Sequence, residues 1–282
     1  MAIRRLIPHL FTAGNLVGGI LAIVLTLNGN IELAPFCILI SALLDFLDGF
    51  VARLLKVPSE LGKQLDSLAD MVTFGVAPGI MIYTMLDPLY YDRTIIKYIN
   101  NSSDFLNINW QVDNFNFGTE IVDISTSHLL TIQPIQFFAL IIPIFAMFRL
   151  AKFNLDTRQT SGFIGLPTPA MTIFIAAIPI ITSNITSQSE LAIAALLIHP
   201  YFLVAISIIL SILMVAPIPL FALKFKKFGW KGNEIRYIFL TLSAVMLATL
   251  FWWALPLIIL LYLVLSIINN VITKSDKNEI QS

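Results

Sequence analysis

Asp45, Asp48, Asp66 and Asp70 are the residues of this chain best suited to chemistry, because all four fall in stretches that otherwise read as membrane. A charge buried in a bilayer is costly, so an ionisable residue there marks function by default. The pattern around them is D-x-x-D-G-x-x-A-R-x8-G-x-x-x-D-x-x-x-D, which adds Gly49, Ala52, Arg53 and Gly62. The first five residues fall at i, i+3, i+4, i+7 and i+8, so a helix carries them on one stripe. Gly62, Asp66 and Asp70 repeat the logic at i, i+4 and i+8. A turn containing Lys56, Pro58 and Ser59 joins the two helices. It predicts antiparallel neighbours whose acidic stripes face each other.

Four converging carboxylates repel one another unless cations neutralise them. With no Cys or His in the stripes, all-oxygen ligation favours Mg2+, Mn2+ or Ca2+ over zinc. Mg2+ and Mn2+ keep positions open for phosphate oxygens, which points to a diphosphate substrate. Gly49, Ala52 and Gly62 let a flat or bulky group approach the helix backbones, and Arg53 offers a forked donor at the rim. Cys37 is alone, so there is neither a disulfide framework nor a thiolate metal site. His9, His128 and His199 are far apart in sequence, which argues against a His-based metal site. A lone Asp-x-x-Asp is usually only solvated. Four acids in register with Gly, Ala and Arg reverse that reading.

The elements that must position these residues are membrane helices. The chain is 57% hydrophobic and 12% charged, with a mean hydropathy of +0.86, whereas soluble domains carry about 25% charged residues. Apolar stretches near the ~20 residues that cross a bilayer lie at about 10–28, 31–53, 65–86, 134–153, 167–183, 199–222, 235–251 and 254–271. The expected fold is an all-α integral membrane bundle of about eight transmembrane helices. The last two come from one unbroken run that turns near Trp252, Trp253 and Pro256, a pair of Trp residues that suits a membrane interface. The His199-Pro200 step separates a short surface helix from the sixth span. Residues 1–222 form the expected core and 223–282 a C-terminal pair of spans with a short tail.

Charge sets the orientation. With a cytosolic N-terminus, all of the 17 basic residues except Arg93 and Lys97 fall inside, as the positive-inside rule requires. Both termini and the acidic motif then face the cytosol. Basic residues held in short loops against the membrane give no reason to expect nucleic acid. Lys224, Lys226 and Lys227 serve topology or anchor anionic lipid. Arg4-Arg5 and the apolar run after them read as a retained first helix rather than a cleaved signal. Residues 87–134 are polar and Asn-rich, and Phe105, Trp110, Phe115 and Phe117 predict a small packed unit on the outside. Gly14-x-x-x-Gly18 predicts close helix packing, extending to a homodimer interface.

The eight motif residues resemble the signature of the CDP-alcohol phosphatidyltransferase family, with every signature residue present and the eight-residue gap between Arg53 and Gly62 intact. The resemblance implies an integral membrane enzyme that moves a phosphatidyl group from a CDP-linked lipid to an alcohol and releases CMP. It implies that Asp45, Asp48 and Asp66 bind a pair of divalent ions, Mg2+ or Mn2+, that hold the diphosphate. Asp70 then completes the shell and acts as general base on the acceptor hydroxyl, and Gly49, Ala52, Arg53 and Gly62 line the CDP pocket.

Three further stretches are similar to the family's bacterial membrane-type branch, in which CDP-diacylglycerol is the donor and L-serine the acceptor. The first is Ile7-Pro8-His9-Leu10-Phe11-Thr12-Ala13-Gly14-Asn15-Leu16, which puts Thr12 and Asn15 near the nucleotide. The second runs from Asp66 to Pro78. The third runs from Phe148 to Asn154 and continues in Gly165-Leu166-Pro167-Thr168-Pro169. His9 stands where Asn is expected, and the 87–134 loop is longer than the family needs. Arg149 and Lys152 are best placed to grip the serine carboxylate or a phosphate, although topology also asks for positive charge there. The implied location is a bacterial inner membrane with the active site facing the cytosol.

Two other functions fit parts of the pattern. A relative using glycerol 3-phosphate or an inositol compound would need an added anion-binding cluster for the acceptor phosphate. A cation transporter would spread its acids across the membrane depth.

Overall fold

The computed structural model describes residues 2–91, 94–95, 133–155, 162–185, 187–221, 229–230 and 233–279. Most of the expected outer unit therefore lies outside the described residues, as do Arg93, Lys97, His128, Arg158, Lys224, Lys226, Lys227 and Lys231.

Each of the eight apolar stretches contains a helix. In chain order they give α1 (Ala2–Leu27), α2 (Ala34–Leu54), α3 (Glu60–Asp70) running through a π-helical segment (Met71–Val76) into α4 (Ala77–Met85), a 3-10 turn (Pro134–Leu140) leading into α5 (Ile141–Leu155), and α6 (Thr168–Ser183). The short α7 (Gln188–Leu197) precedes α8 (Pro200–Val215), and α9 (Glu234–Leu250) is joined through Phe251–Trp253 to α10 (Ala254–Glu279). The chain is an all-α polytopic membrane protein. Its one sheet among the described residues is a two-stranded antiparallel pair, β1 (Gly162–Ile164) with β2 (Pro219–Phe221).

Among the described residues, five segments are long and apolar enough to cross a bilayer, and six when Ser189–Leu197 and Pro200–Val215, bent by 61°, are taken as one span. The difference from eight has two sources. Thr168–Ser183 is 16 residues long, short of the ~20 that span the hydrocarbon. The 38-residue run Glu234–Val271 counts once by length, yet Phe251 breaks it with φ 48 and ψ −118, and α9 and α10 pack on each other. His199 and Pro200 begin α8 where the sequence placed the step.

The exterior is apolar, as lipid requires: Leu10, Leu43, Phe46, Leu68 and Phe148 are all exposed. The interior is filled by Phe74, Met81, Ile82, Met85, Ile142, Met171 and Ile175. α1 lies along α2 through its small residues. A Cβ at Gly18 would strike Ser41 and the Cys37 carbonyl, and one at Gly14 would sit 3.0 Å from Leu44 Cδ1. The Gly14–Gly18 pair is thus used within the chain.

The π segment directly after Asp70 was not foreseen. One extra residue per turn frees backbone carbonyls, and side chains take up the slack. The Thr172 hydroxyl lies 2.9 Å from the Phe74 carbonyl oxygen, and Thr73 Oγ1 donates to the Asn15 carbonyl at 3.0 Å. Gly19 lets α1 reach this segment, since a Cβ there would collide with Thr73.

Candidate active site

The acids come together as their spacing predicts. α2 presents Asp45 and Asp48 one turn apart. The chain then turns at Lys56, with φ 56, and α3 starts where the Ser59 side chain accepts the Gly62 N–H at 3.0 Å. An N-cap of this kind fixes the first turn, and Asp66 and Asp70 follow from it on one face. Asp45, Asp48 and Asp66 each offer a carboxylate oxygen within 4.8 Å of the others. Asp70 lies beside Asp45 and interacts with Asp66 and Asp48. Asp48 is only 7% exposed.

The two helices meet differently from expectation. α2 and α3 hardly approach through their own backbones, whereas α1 packs along both. The acids reach across a gap roofed by α1. Residues at i, i+3 and i+6 of α1, His9, Thr12 and Asn15, form a polar stripe in that roof. Thr12 Oγ1 donates to Asp48 Oδ2 at 2.7 Å, and Asn15 Nδ2 donates to Asp70 Oδ1 at 3.1 Å. Thr12 and Asn15 are buried, so each bond orients a carboxylate in a dry setting. The imidazole of His9 lies over Gly62, with its Cε1 3.2 Å from where a Cβ would stand, and it interacts with Asp48. A side chain on Gly62 would enter that contact. Gly49 is open, with nothing nearer to a Cβ than Arg53 at 3.9 Å.

Arg149 joins the site from α5. It is 8% exposed and interacts electrostatically with Asp70. Its Nε donates to the Leu166 carbonyl at 2.8 Å, and Nη1 reaches Thr168 Oγ1 at 3.4 Å. A guanidinium has five N–H donors, so capacity remains for an anion. Lys152, on the same helix, is exposed. Further along α5, Asn154 ties the helix to α3: its Nδ2 donates to Ser67 Oγ at 2.8 Å and its carbonyl accepts Lys63 Nζ at 3.1 Å. In the sequence Thr168 and Asn154 stand out only as parts of motifs, and His9 only as a scattered histidine where Asn is expected. Their contacts were invisible because each partner lies far away along the chain.

The donor set fits a hard divalent cation. It consists of carboxylate oxygens, and two buried polar atoms beside it, Asn15 Oδ1 and His9 Nδ1, have no hydrogen-bond partner among the described residues. Buried polar atoms are almost always satisfied, so two left without a partner beside the four acids fit a site completed by a ligand.

Comparison with known proteins bears on the same residues. The family model for CDP-alcohol phosphatidyltransferase matches residues 5–99, which take in α2, α3 and all but the first turn of α1. A CDP-diacylglycerol–serine O-phosphatidyltransferase of Bacillus subtilis strain 168 is 34% identical over 163 residues, covering 58% of this chain and 69% of that protein. The chain belongs to the CDP-alcohol phosphatidyltransferase family. A Helicobacter pylori J99 protein named for the same serine reaction is 31% identical over 172 residues, and there the chain spans 55% of the relative. An archaetidylserine synthase of Methanothermobacter thermautotrophicus is 28% identical over 207 residues, 72% of this chain and 66% of that protein. The phosphatidyltransferase match ends at residue 99, so Arg149 and the C-terminal helices lie beyond it.

Proposed function

We propose that this protein is a phosphatidylserine synthase, transferring the phosphatidyl group of CDP-diacylglycerol to the hydroxyl of L-serine and releasing CMP. The observation that carries the reading is the four facing carboxylates of Asp45, Asp48, Asp66 and Asp70 with Arg149 buried beside them. The names of the relatives supply the serine acceptor.

Asp45, Asp48, Asp66 and Asp70 would hold Mg2+ or Mn2+, two ions in the fullest reading, which would supply charge neutralisation for the diphosphate and the leaving CMP. Asp70 accepts the proton of the serine hydroxyl. Asn15 engages Oδ1 of Asp70 and orients the carboxyl for that step. The serine oxygen then forms a bond to the phosphorus bearing the diacylglycerol oxygen. The bond from that phosphorus to the bridging oxygen breaks, and CMP departs with the electron pair. Thr12 and Asn15 stiffen the roof over the nucleotide, Gly49, Ala52 and Gly62 leave room for it, and Arg53 stands at the rim. Arg149 offers its remaining donors to the serine carboxylate, where a paired, forked contact gives geometry as well as attraction. Lys152, being exposed, is the weaker partner in this reading. A cytosol-facing site in a bacterial inner membrane and assembly as a homodimer belong to the same proposal.

The clustering of all four acids at one end of α2 and α3 favours a transferase over an ion path. The experiment is CMP release by purified protein in detergent with CDP-diacylglycerol and Mn2+, comparing L-serine, glycerol 3-phosphate, inositol and inositol phosphate. Release that depends on serine is expected. Release with another alcohol would overturn the acceptor, and release with none would overturn the reaction.

A further inference from the structure

The buried Arg149 is held by a device that extends to the far end of the chain. Its Nε is oriented by the Leu166 carbonyl, and that carbonyl is fixed by an unusual piece of backbone. Gly165 has φ +77, and a Cβ there would collide with the Met214 carbonyl. The Gly165 N–H donates to Ile218 and the Leu166 N–H to Leu213, both at 2.9 Å. Immediately before Gly165 runs β1, paired with β2 in the register Gly162 to Phe221, Phe163 to Leu220 and Ile164 to Pro219.

A pair of three-residue strands is too small to be stable alone, so whatever grips it sets its position. The grip comes from α10. Tyr262 donates its buried hydroxyl to the Phe221 carbonyl at 2.9 Å, and Asn270 Nδ2 donates to the Pro219 carbonyl at 2.6 Å. The Phe221 ring meets Tyr262 at 5.0 Å and Phe239 of α9 at 5.8 Å between centroids, while Phe239 and Tyr262 lie 5.7 Å apart, closing an aromatic triangle. Tyr262 is also near enough to Arg149 for the two to interact electrostatically.

We propose that Tyr262 is a positioning residue for Arg149: through the Phe221 carbonyl it locks the strand pair that sets the Leu166 carbonyl, and so tunes affinity for the acceptor's carboxylate. The inference rests on the reading of Arg149 as the acceptor's partner. It assigns the C-terminal helix pair a part in acceptor binding.

The test is steady-state kinetics of the full chain in detergent for Tyr262→Phe, Arg149→Lys and the double variant. Tyr262→Phe raises KM for L-serine by roughly 3- to 10-fold, the worth of one hydrogen bond. KM for CDP-diacylglycerol and the Mn2+ requirement stay unchanged. In the Arg149→Lys background the Tyr262 substitution adds little, because the two act as a unit. Asn270→Ala, at the strand's other end, gives a smaller rise in the same direction and serves if Tyr262→Phe does not fold. If both substrates' KM values rise together with a lower melting temperature, or if the Tyr262 effect is equal in both backgrounds, the residue only supports the fold and the proposal falls. If Arg149→Lys raises KM for serine and neither Tyr262→Phe nor Asn270→Ala does, the Tyr262 link falls alone. If Arg149→Lys leaves KM for serine untouched, the acceptor role of Arg149 falls and takes the link with it.

Discussion

At Asp70 the decisive question is which oxygen does what. Asn15 engages Oδ1, so an Asn at position 70 keeps a carbonyl for that bond but has no basic oxygen. Asp70→Asn should reduce turnover by roughly 10²- to 10⁴-fold, the usual range for a lost general base, while CDP-diacylglycerol still binds. Single-turnover CMP release beside a CDP-lipid binding assay checks both halves, and near-normal turnover would remove Asp70 from that role. Thr12 acts one step back, through Asp48. Thr12→Val should raise the Mn2+ concentration needed for half-maximal activity by about 10- to 100-fold, as losing an outer partner of a metal ligand does, with full activity recovered at saturating Mn2+. The acids were legible because their chemistry and their spacing point the same way. Thr12 was legible only through resemblance, and the orphaned nitrogen of His9 not at all, since a histidine on an apolar helix has no period to betray its partner.

Helices and their contacts were partly legible. The eight apolar runs gave the helices, because hydropathy over about 20 residues reports a membrane segment whatever its neighbours. The facing of the acidic stripes of α2 and α3 was expected from the short turn between them, but not that α1 packs along both helices while their own backbones hardly approach. A turn length fixes connectivity and says nothing of a third helix inserted alongside. The π segment was hidden for a related reason: Met71–Val76 has the composition of any apolar helix, and its widening shows only in where Thr73 and Thr172 send their hydroxyls. Gly19→Ala tests that element. A methyl would push against the backbone of Thr73, and overpacking of this kind costs about 1–3 kcal/mol. Thermal unfolding in detergent should show a clear drop in midpoint, whereas a substitution at Gly29, which has open space around it but φ +80, should cost only the backbone strain of a left-handed position.

The whole molecule is arranged so that one end of an apolar bundle holds charge. Removing the cation should therefore do more than stop turnover. Chelation is expected to abolish CMP release and to lower the unfolding midpoint, because four carboxylates would then face one another without compensation; Mn2+ or Mg2+ should restore both. Chelator-resistant turnover would dismiss the metal reading.

The ties of α3 carry one more implication. Lys63 and Ser67 are bound to Asn154 at one end, and Phe74, just past the other, meets Thr172. Asp66 and Asp70 thus sit on a beam supported on both sides of the load, while Asp45 and Asp48 ride on a helix whose last turn, at Arg53 and Leu54, is exposed beside the bend. Amide exchange should be slow across residues 64–75 and quick at 53–59, so that the donor lipid meets one jaw that stays still and another that can yield.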